Sequence, residues 1–167
     1  MRAVIAALAA VAMATPSFAE PPKVRGLQDI YKAGFHDCAE AMADFVRFVH
    51  EDDEAYAYLG VWSQAKPNAE MATVLTSQPY TDGHGIATIT GIKTVSGACN
   101  VTLTQAFTVP DQTCPKLRDD AFKGWKFYSE FSGSTLYEDP TTPNGNLTLT
   151  PMGETGCLIV KQLVRYE

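Results

Sequence analysis

The sequence predicts an α+β domain: one main N-terminal helix packed on a curved, mostly antiparallel β-sheet. Two patterns carry this reading. Phe35, Cys38, Met42, Phe45, Val46 and Val49 recur at steps of three and four, which places them on one side of a helix. From Tyr56 onward the apolar period falls to two. It is clearest where Cys99, Val101, Leu103, Phe107 and Val109 alternate with Asn100, Thr102, Thr104 and Thr108. A helix followed by a strand meander is α+β.

The chain has 167 residues. Its start reads as a cleavable export signal over residues 1–19. Arg2 precedes an apolar run, Ala3 to Met13, and the segment closes on Ser17-Phe18-Ala19. The run is shorter than the ~20 residues that span a bilayer, and no later run is longer, so no integral membrane span is expected. A single domain over residues 20–167 remains, bound for the bacterial periplasm or the extracellular space. It holds 12 basic and 19 acidic residues. That balance argues against a nucleic-acid-binding face, which needs clustered Lys and Arg. It favours a basic partner.

The helical pattern extends from Leu27 toward Glu54, with Gly34 as its weak point. The acidic run Glu51–Glu54 opposes the helix dipole, so the helix should stop near His50. Tyr56–Trp62 and Met71–Gln78 follow as strands. Gly83–Val95 and Ala98–Val109 read as a hairpin turned at Ser96-Gly97, with Ile92 facing Val101 and Ile86 facing Phe107. Cys114–Lys123 is a turn or short helix. Trp125–Phe131, Thr135–Tyr137, Asn146–Thr150 and Cys157–Tyr166 complete the sheet, with a turn over Asp139–Gly145. No internal repeat, low-complexity tract or long linker is expected.

Four cysteines in an exported chain predict two disulfides. Cys99–Cys114 and Cys38–Cys157 are the expected pairs. The first closes a short local excursion, and the second ties the helix to the last strand. The absence of Cys-x-x-Cys excludes a thioredoxin-type redox site, and metal-ligand spacing is also missing.

Candidate chemistry is sparse. His36–Glu40 and His50–Glu54 are one-turn pairs. About 21 Å of helix separates their histidines, so one metal cannot join them. His84 lies in Thr81-Asp82-Gly83-His84-Gly85, where Asp82 could orient the imidazole. No serine is marked as a nucleophile beside it, and no Gly-x-Ser-x-Gly elbow occurs. His84, Asp82 and His36 therefore form only a weak alternative site. No metal and no cofactor is expected. Clustered aromatics, with one alternating face of Trp125–Phe131 left outside the core, are the better clue to a binding surface: Trp125, Tyr128 and Trp62 are the residues it points to.

These features favour a non-catalytic exported binding or accessory protein, with an enzyme inhibitor as one form of it. Its partner would be another exported or envelope protein. The alternative is a small hydrolase or isomerase, or a small-ligand carrier, with its site between helix and sheet. That alternative requires a cavity there.

Overall fold

A computed structural model describes residues 22–50, 56–80 and 83–166. The expected signal segment, Asp82 and the acidic run Glu51–Glu54 lie outside the described residues. The helical pattern resolves into two helices, α1 (Leu27–Lys32) and α2 (Ala39–His50). The break falls at Gly34, whose φ of +108° suits glycine and ends α1. α2 stops at His50, ahead of the acidic run.

Eight strands follow: β1 (Ala57–Trp62), β2 (Ala72–Tyr80), β3 (Gly83–Lys93), β4 (Cys99–Val109), β5 (Lys126–Phe131), β6 (Ser134–Glu138), β7 (Gly145–Met152) and β8 (Gly156–Tyr166). A short helix, α3 (Cys114–Asp120), stands between β4 and β5. Thr113 caps it by accepting from the Lys116 backbone N–H. All the pairings are antiparallel, in one sheet of order β1-β2-β3-β4-β8-β7-β6-β5.

The helices cover one face of this sheet. α1 and α2 close a core over β1–β4 that includes Leu27, Ile30, Met42, Val46, Val74, Ile89, Val101 and Leu103. α3 closes a second core with Tyr137, Leu147, Leu149 and Ile159.

The disulfides are Cys38–Cys99 and Cys114–Cys157, which corrects the expected pairing. The reason is strand length. Cys99 opens β4 and Cys114 follows its far end, so about 33 Å of extended chain lies between them. Cys157 is opposite Val109, also at the end away from Cys99 and Cys38. Each observed bridge instead pins one helix start to the sheet.

The β3–β4 register also differs from expectation. Gly97 N–H donates to Thr94 O at 3.0 Å and Thr94 N–H to Ala98 O at 2.8 Å. The loop is thus three residues, Val95-Ser96-Gly97, with Gly97 at φ +93°. One extra loop residue shifts the pairing: Gly91 faces Val101 and Gly85 faces Phe107. Gly85, Ala87, Ile89 and Gly91 turn toward the helices. Ile86 and Ile92 turn outward, about half exposed.

The topology contains a repeat that the residues conceal. In each half a four-stranded meander follows the helical part, α1 and α2 before β1–β4 and α3 before β5–β8, and the cysteine at the start of α2 or α3 bridges to the start of the fourth strand. Lys93 faces Cys99 and Pro151 faces Cys157, so the two bridged hairpins share one register. Cys157 lies 58 residues after Cys99, and the same step carries Thr104 to Gln162. Thr104 and Gln162 are themselves cross-strand partners. A pseudo-twofold axis therefore passes through that pair, normal to the sheet.

Candidate functional site

The pairings define a row across all eight strands on the face away from the helices: Leu59, Leu75, Thr88, Thr104, Gln162, Asn146, Glu138 and Lys126. Among the described residues no helix covers this face, and its strand side chains are half-buried or exposed. Hydroxyl pairs brace it, Thr73 with Thr90 at 3.0 Å and Ser134 with Thr150 at 2.7 Å. The row also shows how the halves differ. The axis relates Thr104 to Gln162, Thr88 to Asn146, Leu75 to Glu138 and Leu59 to Lys126. The first half of the row is apolar and hydroxylic. The second is amide and charged.

A cleft of about 610 Å³ opens in the second half. Leu136, Glu138, Asn146, Thr148 and Gln162 line it from the sheet, Tyr128 from the edge strand, and the 139–145 turn from the strand ends. The β5–β6 register shifts between Phe127 and Ser129, and this bulge leaves Tyr128 65% exposed. The turn is held by Asp139, whose Oδ1 accepts from Thr141 N–H, the Thr141 hydroxyl and Thr142 N–H at 2.8, 2.7 and 3.2 Å. Burial pushes this carboxyl up, but those hydrogen bonds outweigh it and hold it below the usual carboxylate range. Asn144 completes the turn at φ +61°, a conformation asparagine tolerates. Glu138 Oε2 accepts from Lys126 Nζ at 3.0 Å, at the solvent-exposed rim.

The three aromatics named from sequence separate in space. Tyr128 stands at the open face. Trp125 packs into the second core on the helix side, edge-on to Phe122, with Lys161 Nζ 5.7 Å from its ring. Trp62 packs against the first core, also on the helix side.

The histidines do not assemble. His84 begins β3 and is exposed; His36 lies before α2 and is also exposed. The backbone N–H groups of His36 and Asp37 donate to Asn68 Oδ1, and Asp37 pairs with Lys93 at the other end of β3. About 30 Å of strand separates these two ends, so His84 and His36 serve no common site. His50 is 4% exposed, bonded through Nε2 to Thr76 Oγ1 at 2.8 Å and stacked on Tyr56 at 4.0 Å. The void beside it is only about 10 Å³, room for about one water at most.

Sequence reasoning did not bring Glu138, Asn146 and Gln162 together as one site. Each is an ordinary outward strand residue, and only the pairing of β6, β7 and β8 brings them side by side. Among the described residues, no group of three or more His, Cys, Asp or Glu is placed to hold a metal ion. No described helix is long and apolar enough to cross a membrane. Comparison with protein-family models, curated proteins and solved structures yields no significant match. Fold and site together define a small, twice-bridged α+β domain with an open sheet face.

Proposed function

We propose that the protein is an exported, non-catalytic binding protein that docks another exported or envelope protein on the open sheet face. The observation that carries this reading is the uncovered eight-stranded face with Tyr128 standing out at its rim. Eight strands about 4.8 Å apart make a face about 34 Å wide. With roughly 20 Å of usable strand, its area is on the order of 700 Å². A standard protein interface takes about 800 Å² per partner. An exposed aromatic beside a polar row suits such an interface. Between α2 and the sheet a cleft of about 480 Å³ opens at Phe45, Phe48 and Leu163–Tyr166, but no described His, Cys, Asp or Glu lines it, and the void beside His50 is only about 10 Å³; this favours the docking reading over an enzyme with its site there.

The test is a substitution at the centre of the face. Thr104→Arg should abolish capture of the partner from a native extract. Asp29→Arg, on α1, should leave the same partner captured. Equal capture by both variants would refute the reading.

A further inference from the structure

We propose that the cleft beside Tyr128 receives an arginine side chain presented by the protein partner. This rests on the docking reading above and specifies what one part of the face recognises.

Three observations select a guanidinium. First, the charge of the lining is one-sided. Among the described residues, Glu138 and Asp139 are its only carboxylates, and no Lys, Arg or His lines it. Second, the neutral groups fit a planar donor. The side-chain amides of Asn146 and Gln162 have no hydrogen-bond partner among the described residues, so their carbonyls can accept. Tyr128 offers an exposed ring on which a guanidinium can lie flat. Third, the internal repeat supplies a control. The positions related to Glu138, Asn146 and Gln162 are Leu75, Thr88 and Thr104. The carboxylate and both amides thus occur in the second half alone and are not required by the shared topology.

The chain already uses the same chemistry on its other face. Arg165 lies 4.8 Å from the Phe45 ring and donates to Asp44 Oδ2 at 3.1 Å. In the cleft, the aromatic and the carboxylate are present and no described residue supplies the guanidinium. Lys126 holds Glu138 meanwhile. Its side chain is 75% exposed, so this pair is weak and an incoming fork can displace it.

The experiment titrates the isotopically labelled, oxidised chain with acetyl-Gly-Arg-Gly-amide, following backbone amides by NMR. Its citrulline analogue and maltotriose serve as comparison probes. We expect saturable shifts at Tyr128, Glu138, Asn146 and Gln162 with the arginine peptide alone. Glu138→Gln should weaken binding at least tenfold, and Lys126→Ala should strengthen it several-fold. Equal response to citrulline, saturation by maltotriose instead, no saturable shift, or unchanged affinity in Glu138→Gln would each overturn the proposal. The wider docking reading is judged separately, by the Thr104→Arg capture. If that arm succeeds and the peptide arm fails, only the arginine assignment falls.

Discussion

Gly91 lies directly beneath Met42. A Cβ on residue 91 would sit 2.6 Å from Met42 Sδ and 2.8 Å from its Cγ. This close approach lets α2 lie flat on β3, with Gly85 and Ala87 continuing the shallow track. It also explains why the larger Ile86 and Ile92 face outward. Of the bulky β3 residues only Ile89 turns inward, into the first core, while Gly85, Ala87 and Gly91 leave room for α2.

Gly91→Ala should therefore destabilise the fold by about 1–3 kcal/mol through overpacking. Adding Met42→Ala should cost less than the sum of the two single changes, because each relieves the other. Urea denaturation of the three variants checks this. Strict additivity would contradict the contact.

Removing Cys114 and Cys157 together, as serines, should cost about 2–4 kcal/mol, and removing Cys38 and Cys99 a similar amount. Non-reduced peptide mapping should recover residues 38 with 99 and 114 with 157. A peptide joining 99 to 114 would contradict the strand geometry.

Tyr128 and Trp125 should respond in opposite ways. Tyr128→Ala should change stability by no more than about 0.5 kcal/mol while weakening partner capture. Trp125→Ala should cost about 2 kcal/mol through the second core and leave capture by the surviving folded protein intact. Thermal melts and quantitative capture separate the two effects.

Thr76→Val keeps the shape but removes the hydroxyl that meets His50 Nε2 inside the first core. The buried nitrogen then loses that partner, at a cost of about 1–3 kcal/mol. Thr73→Val, on the open face, should cost less. Chemical denaturation of both variants at neutral pH makes the comparison.

Asp37 supplies a pH prediction. The hydrogen bond from Lys93 holds its carboxyl below the usual range, against the effect of burial and with help from Asn68. A folded value below the unfolded value of about 3.9 gives stability that is present above that pH and is lost as pH falls through the folded value. The pair is partly exposed, so the amount should stay under about 1 kcal/mol. Wild type and Asp37→Asn should differ by a constant amount from pH 5 to 7 and converge near pH 2. A gap that widens in acid would contradict this sign.

Much of the fold is legible along the chain because its signals are local. The stripe from Met42 to Val49 marks α2, and the alternation in Cys99–Val109 marks β4. Other features depend on contacts distant in sequence. The extra loop residue at Val95-Ser96-Gly97 reverses the expected facing of Ile86 and Ile92, because a two-residue and a three-residue turn differ by one step of register. The cysteine pairing follows from the length of β4, which separation in sequence does not convey. The repeat escapes notice because its halves share topology and bridges while Glu138 stands at the position of Leu75 and Asn146 at that of Thr88. Tyr128 could be singled out as an aromatic, but the bulge that exposes it depends on the β5–β6 pairing.

The most direct measurement of the docking claim is site-specific photo-crosslinking in the native compartment. A photoreactive residue at position 104 or 160 sits on the open face, and one at position 29 or 40 sits on the helices. The account predicts one discrete, stoichiometric adduct with the same partner from positions 104 and 160, and none from 29 or 40. An adduct formed from the helix positions and absent from the open face would contradict it.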